Sequence, residues 1–566
     1  MFLAILGLAL GALLTAAYFL YGGWVARQFR LDDARATPAV LRDDGVDFVP
    51  TKRFYLFGQH FSAIAAAGPI AGPILACQAF GWGPCLAWIA FGVVFIGAVH
   101  DFSTLAASVR HGGRSIAEIA HDELGPLAGR AMMAFIWIAL VYVIVAFADI
   151  TAGTFVAGTE ELREGGVAFH PGGAVAAAAV LYLALALVLG LVQRFLKPPL
   201  WLATAIFVPA TFAACWAGTK VSTWLLLDHA TWAVLILGYC AIASVLPVWL
   251  LLQPRGYLGG FVLYSALAAG TLGVLFGGFD VEQPFFRGWN AGGATGGLFP
   301  FLFVTIACGA CSGFHGLVCS GTTSKQIERE SDCHAVGYGA MLAEGFVALI
   351  ALVTIMIAPP SAIAGLSPGT IYGNGIGRFL SLILGEQHLT FAVTFGAMAF
   401  STFVFDTIDV SARLGRYLLQ ELFGWKGLAG ATAATVITLA PALGFVAASG
   451  RGSWTRFWTL FGASNQLLAA LTLLVLTLWL RRLGRRTLFT FVPMLFVAAI
   501  TVWALATIAV SSFSSAAALD VAFWNGTSAA VLLVLALVVG AIAWRARRAA
   551  PEGRLDAVAE AAADQR

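Results

Sequence analysis

Gly68-Pro69-Ile70-Ala71-Gly72-Pro73 sits in the middle of an apolar run that extends from 57 to 80. Two prolines four residues apart each remove a backbone donor and clash with the preceding turn, and the two glycines let the chain leave helical geometry. A doubled Gly-Pro is more than a simple kink requires. If the run crosses lipid, its freed carbonyls must face protein or a wet cavity. The motif therefore predicts a discontinuous membrane helix, the kind of element at which transporters bind their cargo.

The rest of the chain supports the membrane setting. Of 566 residues, 60% are hydrophobic and only 11% charged, against roughly a quarter charged in a soluble domain. That excludes a soluble enzyme, a nucleic-acid binder and a disordered chain. The net charge of +3 implies no polyanionic partner. Apolar runs of about 20 residues match helices across a core of ~30 Å, whereas barrel strands would alternate over about ten. Fifteen spans are predicted, at 3–23, 57–80, 84–108, 130–157, 173–193, 199–218, 231–252, 258–279, 298–322, 335–358, 389–411, 427–447, 457–480, 488–511 and 527–544. The first lacks a basic leader and a cleavage site and reads as a retained helix. With the N-terminus outside, 26 of the 32 Lys and Arg residues fall in inside loops and 6 in outside loops, which favours an odd number of spans and a cytoplasmic C-terminus. No Lys or Arg is expected deep within a span. The eight cysteines fall mostly inside spans, where a disulfide framework is not expected.

Span 7 carries its own interruption, Ser244-Val245-Leu246-Pro247. It lies five spans after the first break and runs the opposite way. This predicts an inverted repeat, with spans 2–6 (57–218) and 7–11 (231–411) as the two halves of the core. An N-terminal helix and linker (1–56), peripheral helices (427–544) and a tail (545–566) complete the chain. Discontinuous helices in matching positions mark a transporter's site. Span 9 is crowded with small residues from Thr305 to Gly316 and is followed by Ser320-Gly321-Thr322-Thr323-Ser324, a hydroxyl cluster suited to an ion or a carboxylate.

These blocks carry a resemblance. Gly58-Gln59-His60-Phe61-Ser62 leading into the Gly-Pro pair, Ala98-Val99-His100-Asp101-Phe102, Gly112-Gly113-Arg114-Ser115 and Leu246-Pro247-Val248-Trp249 resemble the carbon starvation protein A family. So do the span 9 motif, Asp409 through Arg413-Leu414-Gly415-Arg416-Tyr417, and Leu460-Phe461-Gly462-Ala463-Ser464-Asn465-Gln466-Leu467. Together they cover most of 55–470. The resemblance implies uptake of pyruvate or small peptides across a bacterial inner membrane, driven by an ion gradient. It also implies kinship with the amino acid–polyamine–organocation superfamily, whose core is a LeuT-like five-plus-five inverted repeat. Cys311 stands where the family pattern leads one to expect a small aliphatic residue, and His100 where it leads one to expect glutamine.

Charges within spans are costly and usually functional. His60 precedes the first break. His315 lies on span 9, Asp149 on span 4 and Glu344 on span 10. These four are the candidates for proton coupling, because histidine titrates near neutrality and carboxylates in apolar surroundings can carry protons. His100 and Asp101, being adjacent, point apart by about 100° on a helix; Asp101 is expected to snorkel and pair with Arg110 or Arg114. Asp409 and Arg413, four apart, are expected to form an ion pair. Asn465 and Gln466 read as packing or oligomer contacts. The Cys308, Cys311, His315, Cys319 set shares one stripe of a straight helix, a poor geometry for a tetrahedral metal. Cys308, Cys311 and His315 are thus weak metal candidates at most, and no cofactor is expected.

The fold class expected is an all-α polytopic membrane protein. The function expected is alternating-access import of a small anionic substrate with a coupling ion, proton or sodium. The binding residues would be His60, Gly68, Pro69, Gly72, Pro73, Ser244, Pro247, Ser312, His315, Thr322 and Thr323. The rival is an integral-membrane redox or proton-channel subunit with intramembrane His and Cys as ligands. The lipid bilayer is the only other partner the sequence indicates.

Overall fold

A computed structural model describes residues 1–45, 47–156, 162–164, 167–290, 296–449, 454–517 and 520–546. The polar tail from 547 onward lies outside the described residues. Among the described residues the chain is helical apart from short connections, two isolated bridges and one two-stranded ladder, Leu162–Glu164 with Val167–Phe169.

The main helices are α1 (Phe2–Phe29), α2 (Arg53–Ile64), α3 (Gly68–Phe80), α4 (Trp82–Arg110), α5 (Ile116–Leu124), α6 (Pro126–Phe155), α7 (Pro171–Phe195), α8 (Leu200–Lys220), α9 (His229–Val245) and α10 (Leu252–Phe276). They continue as α11 (Leu298–Thr305), α12 (Gly313–Gly321), α13 (His334–Met356), α14 (Pro368–Leu384), α15 (Leu389–Phe423), α16 (Gly427–Ser449), α17 (Trp454–Arg482), α18 (Leu488–Ser515) and α19 (Val521–Ala546). Among the described residues, 12 helices are long and apolar enough to cross a membrane, and α2 with α3, bent by 43°, would make a thirteenth. The other two of the fifteen expected spans coincide with shorter pieces: α9, and the pair α11 and α12.

Two features differ from the sequence reading. The interruption expected within span 7 at Ser244–Pro247 is instead the end of a helix: α9 stops at Val245, and residues 246–251 turn into α10. Proline suits that position because it cannot continue the α9 ladder. The additional helix α14 forms an antiparallel hairpin with α15, in which Gly373 and Gly377 meet Ala397 and Val393. Its Gly-rich, Arg-bearing sequence does not read as a span.

The breaks in α2/α3 and α11/α12 lie back to back. A Cβ on Gly68 would collide with Cys308 Sγ, and one on Gly72 would sit 2.7 Å from the Thr305 carbonyl oxygen. α4 and α13 flank the breaks, and each contains a π-helical turn, Val93–Gly97 and His334–Gly339. Such turns rotate the residues that follow them and often mark functional sites. α17 packs on the far side, where a Cβ on Gly462 would collide with the Val304 carbonyl oxygen.

Loops that the charge count places on the inner side do meet one another. Arg110 holds Glu330 through Nε at 2.7 Å and Nη2 at 3.1 Å, and Arg482 holds Glu123 at 2.7 Å. The linker after α1 lies across the same face. The Asp32 amide donates to Glu330 at 2.7 Å, Arg35 reaches it at 3.1 Å, and Thr51 bridges to Ile327. Burial opposes the Glu330 charge, but Arg110 and the Asp32 amide outweigh it and hold this carboxyl below the usual range. A depressed folded-state pKa stabilises above the unfolded value and is lost as pH falls through the folded one. Amide-exchange protection of 31–52 is therefore expected to be flat above about pH 5 and to fall below about pH 4. Glu330→Gln should loosen the linker already at neutral pH, and unchanged protection in that variant would refute the role.

Candidate functional site

The apolar helices bury a small set of polar groups between the two breaks. Asp101, fully buried on α4, accepts from His100 Nδ1 at 2.7 Å and lies 2.9 Å from His315 Nδ1 on α12. His315 Nε2 in turn faces Glu344 Oε2 of α13 at 3.3 Å. The four side chains form one chain, Glu344–His315–Asp101–His100, with none more than 1% exposed. A buried charge needs a partner, and here an imidazole stands between two carboxylates. A second, shorter line joins His60 Nδ1 to Thr323 Oγ1 at 2.8 Å, with Cys319 Sγ 3.9 Å from His60 Nε2.

Beside these groups lies a narrow cavity lined by Ala66, Gly68 and Pro69 at the first break, Cys308, Phe314 and His315 at the second, and Val143, Phe147, Thr407 and Phe461 from α6, α15 and α17. It is closed down to about the width of one water molecule. Gly68 and Phe314 belong to the first turns of α3 and α12, so two helix N-termini, the positive ends of their dipoles, border one space.

The structure thus brings together His60, Gly68, Pro69, Ser312, His315, Thr323 and Glu344. Gly72 and Pro73 lie one turn further along α3, with Gly72 against Thr305. Thr322 is exposed at the end of α12. Ser244 and Pro247 are elsewhere: Ser244 Oγ lies 3.3 Å from Thr435 Oγ1 on α16, and Arg413 donates to the Ala243 and Leu246 carbonyls at 2.6 and 2.7 Å. Asp149 pairs with His229 at 2.8 Å near the end of α6, away from the His315 chain.

Four expectations are corrected. Asp101 does not snorkel to Arg110 or Arg114; those arginines are taken by Glu330 and Asp122, and Asp101 meets the adjacent His100 and the distant His315 instead. Asp409 pairs with Arg255, not Arg413. Arg255, 1% exposed in the first turn of α10, joins both Asp406 and Asp409 and donates to Tyr239 Oη at 2.6 Å. It is a basic residue buried within a helix where none was expected. Cys308 and Cys311 lie in the unwound stretch rather than on a straight helix, and among the described residues no cluster of three His, Cys, Asp or Glu side chains is arranged to hold a metal.

Asp101 and Asn465 are site residues that sequence reasoning missed. Asn465 Oδ1 accepts from Phe314 N at 2.8 Å. The signal that could have found Asp101 was its charge inside an apolar helix.

The family described as Carbon starvation protein CstA matches residues 1–374 and 360–504. The chain belongs to the carbon starvation protein CstA family. Among its relatives, the peptide transporter CstA of Campylobacter jejuni is 35% identical over 562 residues, covering 86% of this chain and 77% of that one. The pyruvate/proton symporter BtsT of Escherichia coli is 30% identical, covering 86% and 79%. Of solved structures, a manganese transporter of Eremococcus coleocola aligns with 89% of this CstA-family chain and 99% of its own at a TM-score of 0.41 and 14% identity, too distant a likeness to carry an argument. The broken helices and the His315 chain fall inside the matched CstA segments.

Proposed function

We propose that this protein is a proton-coupled secondary transporter that imports pyruvate or a small peptide by alternating access. The observation that carries the reading is the buried Glu344–His315–Asp101–His100 chain, whose His315 lines a cavity between two broken helices. The paired helix N-termini at Gly68 and Phe314 suit a carboxylate, which pyruvate and a peptide C-terminus both offer. The relatives named as a peptide transporter and a pyruvate/proton symporter support the same class and disfavour a redox subunit. Entry of one anion with at least one proton offsets the membrane potential, which otherwise costs ~2.3 kcal/mol per charge per 100 mV. We read the fifteen segments as spans, the broken pairs counted as one each, in an inner membrane with the N-terminus outside; the 26-to-6 bias of basic residues supports that orientation.

Purified protein in proteoliposomes should accumulate labelled pyruvate or dipeptide when an inward proton gradient is imposed. Uptake indifferent to that gradient would refute the coupling. Glu344→Gln removes one titrating group and leaves the His315–Asp101 contact. It is expected to abolish gradient-driven accumulation while counterflow exchange stays within about tenfold of wild type. Equal loss of both would mean that Glu344 serves structure rather than coupling.

A further inference from the structure

Unwinding residues 306–312 frees backbone groups, and side chains from outside the two broken helices take them up. Gln466 Nε2 donates to Phe303 O at 2.9 Å, Trp458 Nε1 to Thr305 O at 3.1 Å and Trp88 Nε1 to Ile306 O at 3.2 Å. Asn465 spans the break. Its Oδ1 accepts from the Phe314 amide at 2.8 Å, while Nδ2 lies 3.1 Å from Ser312 Oγ and 3.3 Å from Cys308 Sγ. Asn465 is 3% exposed, and its side-chain amide uses both its acceptor and its donor end. Cys308 and Phe314, the two residues it ties together, both line the central cavity.

We propose that Asn465 is a positioning residue for substrate binding: from α17, a helix with no member in the titrating chain, it fixes the separation of the Cys308 and Phe314 edges of the cavity. The inference rests on the transporter reading above. Packing alone would ask only for bulk at this position, whereas the observed contacts ask for a donor and an acceptor on one rigid group.

The test uses the full chain in proteoliposomes, with labelled pyruvate and labelled dialanine as probes, and follows N-ethylmaleimide labelling of Cys308 by peptide mapping. Asn465→Ala is expected to raise KM for the transported probe about tenfold with Vmax changed less than about threefold. It should also speed Cys308 labelling by a similar factor. An unchanged KM, or unchanged labelling in monodisperse protein, overturns the proposal. If that variant does not fold, Ser312→Ala, which removes one partner of Asn465 and little volume, must move both readouts in the same direction; no movement overturns it. A wild-type protein that carries neither probe defeats the transport reading, and Cys308 labelling then decides the positioning claim on its own.

Discussion

Replacement of Asp101 by asparagine is expected to abolish uptake while the protein remains folded. Asp101 touches both His100 and His315. Asparagine has the same shape, but its neutral amide cannot balance an imidazolium, and one of its two ends presents a donor to a ring nitrogen. Truncating one partner of a buried ion pair costs about 3–5 kcal/mol, which corresponds to roughly a hundred- to several-thousandfold in rate when the loss falls on the loaded state. Initial uptake rates in proteoliposomes, normalised to protein and accompanied by a melting curve, check this. Asp101→Asn transporting within about threefold of wild type would remove Asp101 from the coupling chain.

The second large effect concerns the backbone on which the site is built. Val304 and Thr305, just before the second break, are squeezed from two sides, by Gly72 of α3 and Gly462 of α17. The obstacles are carbonyl oxygens, not flexible side-chain ends, so an added methyl cannot be accommodated by a rotamer change. Gly72→Ala should cost about 1–3 kcal/mol as overpacking, and Gly462→Ala, with the closer approach, at least as much. Both should reduce uptake by an order of magnitude by prising α11 away from α3 or α17. Gly11→Ala is the control, since nothing lies within 4 Å of the position its methyl would take. Melting temperatures of the three variants in detergent provide the measurement. A Gly462→Ala protein as stable as Gly11→Ala would show that the helices are not in contact as described.

Much of this arrangement is legible in the sequence because lipid punishes unpaired polarity. The Gly68–Pro73 motif announces a break on its own, and His60, His315 and Glu344 stand out against apolar runs. What stays hidden depends on tertiary pairing. Asp101 finds His315, 214 positions away, whereas local spacing points to nearby arginines. Asn465 carries no charge, and nothing near it in the chain shows that it faces an unwound helix 151 residues earlier. The proline of span 7 signals a break, but not that α9 ends there rather than resuming beyond it. Arg255 reads as a loop residue because its two carboxylate partners come from a helix about 150 positions later.

The linker docked on Glu330 also has a consequence in time. Asp32 and Arg35 dock on Glu330, a separation of 298 residues for the first of these contacts. At about 5–20 residues per second of synthesis, the start of the chain is made roughly 15–60 s before its docking partner exists. During that interval the first helix must wait in the bilayer with its following segment unattached. The docking of this linker is therefore a late step in biogenesis, and a nascent chain stalled before span 9 should expose the linker to protease while a completed one protects it.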